Sequence, residues 1–285
     1  VFIVSLSAIC IITGKYIFKK SNPDIILDTD SQYSRIWVTN VKNQNGNYKT
    51  LQVDMGLESY LDTNTNEMGA EYLKFYDLFD YYNKNAKNTL LIGGAAYTYP
   101  MHYLNKYSDK NIDVVEIDDK MTKIAEEEFG LNLNDERIKV YSQDGRSFFN
   151  YSKNKYDTIL IDAFKGLNIP FELTTYEALE NAKTLLNDNG LVITNIISGI
   201  DGNGADFLKY EYATYKAVFD DVKLFKVKDV RTTEESQNLI LVGIKGELNV
   251  SEERKNEFSY LLDREITGFE SDKKIVTDDF APIGN

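Results

Sequence analysis

The sequence is poor in the residues that build disulfide, zinc and histidine-based sites. Its 285 residues include one cysteine, Cys10, and one histidine, His102. A lone cysteine forms no disulfide within the chain, and one histidine without a nearby cysteine or second histidine does not make a structural zinc site. With 4 prolines and 17 glycines, the chain also lacks the bias of collagen or low-complexity sequence. Disulfide scaffolds, structural zinc domains and disordered chains are therefore excluded.

Basic residues are also in short supply. The 32 lysines and arginines face 45 aspartates and glutamates, which gives a net charge of −13. Binding to nucleic acid depends on cations that neutralise phosphates, and no run of five or six basic residues offsets the acidic excess. We therefore expect no nucleic-acid partner. The hydrophobic share of 42% is enough for one large folded domain with a small appendage.

The first 18 residues are apolar apart from Ser5, Ser7, Thr13 and Lys15, and Lys19 and Lys20 follow them directly. This pattern is typical of the last part of a transmembrane helix with a basic cytoplasmic flank. We predict a transmembrane segment over residues 1–20, as the end of a longer membrane region. The protein would then lie at the cell membrane with its catalytic domain facing the cytoplasm. A secretory signal, a lipid anchor at Cys10 and a buried element of the globular domain are the alternatives.

The rest of the chain divides into two patterns. Apolar and polar residues alternate with period two over much of 21–64, which predicts an N-terminal domain of antiparallel β-hairpins. A region with helical spacing over 66–82 follows, and then continuous apolar runs alternate with helical stretches. Continuous apolar runs are typical of parallel strands that are buried on both faces. We therefore predict an α/β fold, with a Rossmann-like domain over 65–285.

A glycine turn marks the first strand of this predicted sheet. Gly93 and Gly94 follow the strand directly, and a helix is expected to begin near Thr98. Glycines at such a turn let the backbone approach a ligand, and the helix N-terminus offers free N–H groups. The next strand ends at Glu116, about twenty residues on, where a carboxylate can bind a ribose diol. The order of these features indicates a nucleoside site, although Glu116 could also be a solvated strand end.

Two further carboxylates follow strands of the same sheet. Asp144, next to Gly145, ends the third strand and could accept a hydrogen bond from an exocyclic amine such as that of adenine. It could equally cap the helix that follows. Asp162 ends the fourth strand, where open sheets bind their ligands, so that it either caps a loop or acts on substrate.

Several short motifs together resemble the spermidine synthase family, and more closely its membrane-attached, spermidine synthase-like branch. They are Leu90-Leu91-Ile92-Gly93-Gly94, Val115-Glu116-Ile117-Asp118, Asp144-Gly145-Arg146, the strand that ends at Asp162, Leu173-Thr174-Thr175 and Thr277-Asp278-Asp279. The resemblance implies a Rossmann-like, class I S-adenosylmethionine-dependent transferase fold with a small N-terminal antiparallel β domain. It implies transfer of an aminopropyl group from decarboxylated S-adenosylmethionine to a small amine in polyamine biosynthesis, with no metal or prosthetic group, and it is compatible with a homodimer.

The resemblance also implies roles for individual residues. Asp162 would be the base that acts on the amine. The nucleoside co-substrate, S-adenosylmethionine or its decarboxylated form, would contact Gly93, Gly94, Ala96, Glu116, Asp144 and Gly145. The acceptor amine would contact Tyr72 and Tyr76, and Lys165 would lie near the same pocket, where an inward-pointing ammonium group would oppose a cationic diamine.

Three positions depart from the family pattern, and the first is Ser34, which stands where the family carries a glutamine in its N-terminal hairpin. Ala96 stands where aminopropyltransferases of this family carry an aspartate in the glycine loop, and Lys165 stands where they carry a second aspartate after the catalytic one. An aspartate at position 96 would attract the ammonium tail of a decarboxylated donor and repel a carboxylate. Its absence leaves two alternatives open, an S-adenosylmethionine-dependent methyltransferase and a non-catalytic nucleoside-binding protein. A dinucleotide dehydrogenase is disfavoured, because the loop lacks the G-x-G-x-x-G spacing.

Overall fold

The structure, a computed structural model, describes residues 24–44, 46–54, 56–164, 169–230 and 232–282. The predicted transmembrane segment, 1–20, and the predicted acceptor residue Lys165 lie outside these ranges. Across the described ranges, no helix has both the length and the apolar character that a bilayer-spanning helix needs.

Four antiparallel strands form a small N-terminal sheet in the order β1-β2-β3-β4. They are β1 (Ile25–Asp30), β2 (Arg35–Asn43), β3 (Gly46–Val53) and β4 (Gly56–Asp62). The period-two pattern places alternate side chains on one face, so that Ile36 and Val38 are fully buried.

A short helical segment joins the two sheets. A 3₁₀ turn, Glu71–Asp77, runs directly into helix α1, Leu78–Tyr82. The sequence predicts helix from residue 66, but Asn66 has a positive φ of 59° and the Gly69 N–H donates to the Tyr60 carbonyl. Because the chain is tied back to β4 there, the helical part starts later than its apolar spacing suggests.

Seven strands form the second sheet in the order β10-β11-β9-β8-β5-β6-β7. The parallel strands are β5 (Asn88–Ile92), β6 (Asn111–Glu116), β7 (Ile138–Ser142), β8 (Tyr156–Ile161) and β9 (Leu186–Ser198). Two antiparallel strands, β10 (Asp221–Lys226) and β11 (Gln237–Ile244), complete the sheet. The predicted α/β class is confirmed. The apolar run of β11 does not reveal its antiparallel direction, since it too is buried.

Helices flank this sheet. They are α2 (Thr98–Lys106), α3 (Asp119–Ile124, continued by a π turn, Ala125–Phe129), α4 (Gly145–Tyr151), α5 (Tyr176–Leu185), α6 (Asp206–Val218) and α7 (Lys255–Leu262). Strand β5 pairs in parallel with β6 on one side and β8 on the other. The chain order therefore reverses between β5 and β8, and open α/β sheets bind ligands above the carboxyl ends of the strands at such a point.

The N-terminal sheet packs against the same end of the large sheet. Apolar side chains from both bodies form one buried cluster: Ile36, Val38, Leu51, Leu61, Ala96, Met121, Ile124 and Phe129. The Lys120 ammonium donates to the Thr29 hydroxyl at 2.6 Å, which adds a polar contact at this junction. The N-terminal sheet is thereby fixed beside the carboxyl ends of β5 and β8.

Candidate functional site

A cavity opens at the carboxyl ends of β5 and β8, between the large sheet and the N-terminal sheet. Its volume is about 380 Å³ when the solvent-open mouth is included, and Glu58, Tyr72, Gly93, Gly94, Ala95 and Asp162 are among the residues that line it. Strand β4 contributes Glu58, the 3₁₀ turn contributes Tyr72, and the loops after β5 and β8 contribute the others. The cavity therefore lies at the position that the strand order predicts for a ligand.

Asp162 follows the last residue of β8, and its carboxylate is bonded on both oxygens. The Tyr72 hydroxyl donates to Oδ2 at 3.1 Å, and the Asn195 amide Nδ2 donates to Oδ1 at 3.3 Å. Burial raises the pKa of Asp162 to about 6, and these donors oppose the rise because they favour the charged form. Asp162 is thus a positioned carboxylate that is mostly ionised at neutral pH and able to accept a proton.

The donors to Asp162 are themselves fixed. The Asn238 amide donates to Asn195 Oδ1 at 3.0 Å, which turns the Asn195 Nδ2 group towards Asp162. Tyr76 is fully buried, and its ring packs edge-on against the ring of Tyr72 with centroids 5.9 Å apart. Its hydroxyl lies close enough to favour the charged form of Asp162, but without a hydrogen bond of ordinary geometry. The structure therefore brings both predicted tyrosines to Asp162.

A second carboxylate, that of Glu58, lines the same cavity. Burial is the main cause that raises the pKa of Glu58 to about 7, and the negative charge of Asp162 raises it further. Because both carboxylates border one partly dry space, the cavity has an acidic lining.

Glu116, at the end of β6, is buried and bound to backbone N–H groups. Its Oε2 accepts from the N–H of Gly94 at 2.7 Å and from that of Ala95 at 3.2 Å, and its Oε1 accepts from the N–H of Asp118 at 2.9 Å. Burial raises the pKa of Glu116, and these N–H groups oppose the rise. The carboxylate therefore holds the glycine loop in place, in addition to any contact with a ribose.

The glycine loop is conformationally restricted. Gly93 has a φ of +93°, and a Cβ built there would lie 2.4 Å from the Asp162 carbonyl oxygen. Ala95 and Tyr97 also have positive φ values, 45° and 57°. Non-glycine residues adopt this region at an energetic cost, and such residues cluster at ligand sites.

Ala96 lies away from the cavity. It is fully buried in the apolar cluster that joins the two sheets, whereas its neighbour Ala95 lines the cavity. The expectation that residue 96 faces the donor tail thus does not match its position. An aspartate there would be buried among apolar side chains, because the positive φ values on both sides turn position 96 inward.

Asp144 and Gly145 lie at the start of α4. The Asp144 Oδ1 accepts from the Ser147 N–H at 2.8 Å, so this exposed carboxylate caps the helix, as the alternative interpretation of the sequence proposed. A Cβ on Gly145 would lie 2.7 Å from the Ile92 side chain, so the glycine allows α4 to pack over the end of β5. Asp144 Oδ2 has no part in the cap, and its contact with the adenine of a nucleoside stays a prediction.

Sequence reasoning identified Asp162, Tyr72, Tyr76 and the two glycines of the loop, which all come together here. It missed Glu58, Ala95 and Asn195. Period-two alternation along β4 was the only signal that could have placed Glu58 on an inward face, and such a pattern does not say which cavity that face meets. Asn195 lies inside an apolar strand, where a lone buried amide is a visible anomaly.

Curated relatives match part of the chain. A probable polyamine aminopropyl transferase of Bifidobacterium longum is 34% identical over 121 residues, which are 42% of this chain and 26% of the relative. A polyamine aminopropyltransferase of Vibrio vulnificus is 30% identical over 166 residues, 57% of this chain and 52% of the relative. The chain thus spans about a quarter to a half of the length of these relatives.

The prediction of a cell-membrane location is wrong by these findings. The matched relatives are named as polyamine aminopropyltransferases, and within the described ranges no helix is long and apolar enough to span a bilayer. Likeness to a membrane-attached branch of the family is likewise not shown.

The fold and a family model agree with the motifs. The crystal structure of a probable spermidine synthase from Corynebacterium glutamicum superposes with a TM-score of 0.71 at 20% identity, over 88% of this chain and 97% of that one. At that identity, the likeness shows the fold alone. The model of the spermine/spermidine synthase domain matches residues 75–226, more than half of the chain. The chain therefore belongs to the spermine/spermidine synthase domain family.

Proposed function

We propose that this protein transfers an aminopropyl group from decarboxylated S-adenosylmethionine to a small amine, a reaction of polyamine biosynthesis. The observation that carries the proposal is Asp162, a half-buried carboxylate with a pKa of about 6 that is held by Tyr72 and Asn195 in an acidic cavity. The family match and the names of the curated relatives support the same reaction.

The chemistry is a displacement at carbon. The amine nitrogen attacks the aminopropyl carbon next to the sulfonium, the new C–N bond forms as the C–S bond breaks, and methylthioadenosine leaves as a neutral thioether. The proton that the amine loses passes to the carboxylate of Asp162. The remaining contribution of the protein is to align the two substrates and exclude water.

We propose that the nucleoside lies over the glycine loop. Glu116 would bind the ribose, Asp144 and Gly145 the adenine, and Gly93 and Gly94 would let the backbone approach the ligand. The position of Glu116 supports a contact with the ribose, because its carboxylate lies next to the glycine loop and accepts the Gly94 N–H. Charge-assisted hydrogen bonds to ribose hydroxyls are among the stronger polar contacts.

The acceptor amine is proposed to lie against Tyr72 and Tyr76, beside Asp162, and Lys165, which is outside the described residues, is proposed to act near the same acceptor. The hydrogen bond from the Tyr72 hydroxyl to Asp162 and the edge-on ring contact between Tyr72 and Tyr76 support the tyrosine part of this proposal. We also propose the domain limits 21–64 and 65–285, which the two separate sheets support.

We further propose that the protein forms a homodimer. Exposed Leu57 and Tyr33 on the N-terminal hairpins offer apolar surface to a second copy. Static light scattering that gives the mass of one chain would contradict the homodimer.

Product analysis with two donors tests the function. The protein is incubated with a diamine and either decarboxylated S-adenosylmethionine or S-adenosylmethionine, and the products are identified by mass spectrometry. We expect methylthioadenosine and an aminopropylated amine from the first donor only. Transfer of methyl groups from the second donor would favour the methyltransferase alternative. Binding of methylthioadenosine without turnover of either donor would favour a nucleoside-binding protein.

A further inference from the structure

Glu58 is an acidic residue of the cavity that the proposed chemistry does not use. It lies on β4, in the N-terminal sheet, and lines the same space as Asp162. It is half-buried, and within the described part of the chain it makes no hydrogen bond or ion pair. A carboxylate that is partly removed from water and has no partner among the described residues would be stabilised by a cationic ligand that balances its charge.

Among the described residues, the charged groups whose charges act most strongly on Glu58 are acidic. They are Asp54 on its own hairpin, Asp162 after β8 and Glu116 after β6, and each raises the pKa of Glu58 through its negative charge. The neutral hydroxyl of Tyr72 faces it as well. Glu116 is bonded to three backbone N–H groups and Asp162 to two side chains, whereas the carboxylate of Glu58 has no such partner among the described residues.

The ligand that fits this arrangement is a compact cation with several hydrogen-bond donors. A primary ammonium group carries one positive charge and three N–H donors, and it stays protonated up to a pH of about 10. Such a group could donate to Glu58 while Asp162 faces the reacting nitrogen. A ligand carboxylate at the same place would meet like charges at short range.

We propose that Glu58 is a specificity-determining residue that binds a primary ammonium group of one substrate and disfavours a carboxylate at the same place. The proposal deepens the proposed aminopropyl transfer and rests on it for the choice of substrates. Two sources of that ammonium are available, the aminopropyl tail of the decarboxylated donor and the acceptor amine. Both present the same chemistry to Glu58.

Calorimetric titration of the wild-type protein and of Glu58→Gln tests the proposal at pH 8. Three ligands are used: decarboxylated S-adenosylmethionine, 1,4-diaminobutane in the presence of saturating methylthioadenosine, and methylthioadenosine alone. Loss of one charge-assisted contact should lower the affinity for at least one of the two amine ligands by about tenfold or more. Methylthioadenosine, which has no ammonium group, should bind within about twofold of the wild-type affinity. The amine that responds identifies the source.

Glu67→Gln is the matched control, because it removes the same charge from the same hairpin region at an exposed position that does not line the cavity. It should leave all three affinities unchanged. Equal affinities of both amines for wild type and Glu58→Gln, with an unchanged melting temperature, would overturn the proposal. An equal loss in Glu67→Gln, or no binding of either amine by the wild type, would overturn it too.

The turnover assay separates this proposal from the proposed function. If Glu58 controls ammonium binding but no aminopropyl group is transferred, the proposed function fails and the ammonium site stands. If transfer occurs at the same rate and KM in Glu58→Gln, the ammonium site fails and the proposed function stands.

Discussion

At the residue scale, the site consists of a few carboxylates that differ in their surroundings. Glu116 accepts three backbone N–H groups, Asp162 is held by side-chain donors, and Glu58 has neither kind of partner in the described chain. Carboxylates with the same chemistry therefore have different surroundings, which fit the separate roles that we propose for them. Hydrogen bonding and burial, more than residue type, set these differences.

Activity should depend on the ionisation of two of these groups. Protonation of Asp162, with a pKa of about 6, removes the base, and protonation of Glu58, with a pKa of about 7, removes the attraction for a cationic substrate. Since both pKa values are raised, activity is lost as the pH falls through this range. We expect kcat/KM for the amine to increase between pH 5 and 8, with apparent midpoints of about 6–7 that belong to the coupled pair.

Glu58→Gln should simplify this pH profile to a single step at lower pH, since only Asp162 then titrates in the range. A profile that is flat between pH 5 and 8 in the wild type would contradict the ionisation scheme.

Removal of the Glu116 carboxylate should weaken nucleoside binding. Glu116→Ala loses the charge-assisted contacts to a ribose and also frees the N–H groups of Gly94 and Ala95, so we expect methylthioadenosine to bind about 1.5–3 kcal/mol more weakly. Calorimetry on the folded variant measures the effect. An unchanged affinity would exclude the ribose role.

At the element scale, the glycine loop and the end of β8 form one unit. The Asp162 N–H donates to the Ile92 carbonyl at 2.9 Å, and the Gly93 N–H donates to the Val115 carbonyl at 2.9 Å. Three strand ends are thus bonded to one another directly below the cavity. The position of Asp162 depends on this contact as much as on its side-chain partners.

A methyl group at Gly93 should disturb that unit. Gly93→Ala places a Cβ against the Asp162 carbonyl at a positive φ, so it should cost about 3 kcal/mol or more and displace Asp162. Gly130→Ala is the matched control, because its φ is also positive, +84°, but nothing lies within 4 Å of the added carbon. It should cost about 1–2 kcal/mol. Chemical unfolding measures both, and equal losses would contradict the close-contact argument.

Packing at this scale explains part of the sequence motifs that resemble the family. The Arg146 guanidinium donates to Asp278 at 2.6 Å and to the Thr175 hydroxyl at 2.8 Å, and that hydroxyl donates to Asp278 at 2.7 Å. Three distant motifs therefore meet in one polar network that ties residues near the C-terminus to α4 and α5. Their resemblance to the family reflects the fold, while the cavity residues bear on the reaction.

The sequence was informative about the parallel sheet and about residues at strand ends. Continuous apolar runs predict buried strands, and the carboxyl end of a strand locates Glu116 and Asp162 without knowledge of the fold. It was uninformative about contacts between the two sheets. The side chain of Glu58 reaches the cavity only because β4 packs beside α2, and the burial of Ala96 depends on loop dihedrals that no composition pattern encodes.

At the scale of the whole molecule, the cavity needs both sheets. The N-terminal sheet supplies Glu58, the large sheet supplies Asp162, and the buried cluster around Ala96 fixes one against the other. The net charge of −13 adds a long-range attraction for cationic amines, which should weaken as salt is added. The acidic composition and the acidic cavity thus favour the same class of substrate.

Stability should also depend on pH through a carboxyl group far from the cavity. Glu211 on α6 is fully buried beside Thr174 without a hydrogen bond of ordinary geometry, and burial raises its pKa well above the usual range. Because the folded-state pKa of Glu211 is raised, this carboxyl group contributes its full share to the free energy of unfolding below the unfolded pKa of about 4.3. That contribution is lost as the pH rises through the folded-state pKa.

In Glu211→Gln, the free energy of unfolding should therefore decrease less than in the wild type as the pH rises above 5. The difference is about 1.4 kcal/mol for each unit of pKa shift that the substitution removes. Urea unfolding from pH 4 to 8 measures this, with the exposed Glu126→Gln as a control that keeps the wild-type slope. An unchanged slope in Glu211→Gln would contradict a neutral buried carboxyl group.

The rate of aminopropyl transfer by the wild type and by Asp162→Asn tests the proposed role of Asp162 most directly. It is measured as methylthioadenosine released from decarboxylated S-adenosylmethionine and a diamine. Asparagine keeps the shape and can still pair with its neighbours, but it accepts no proton. We expect kcat to fall by about 10²–10⁴ while methylthioadenosine binds as before. Transfer at the wild-type rate by Asp162→Asn would contradict that role.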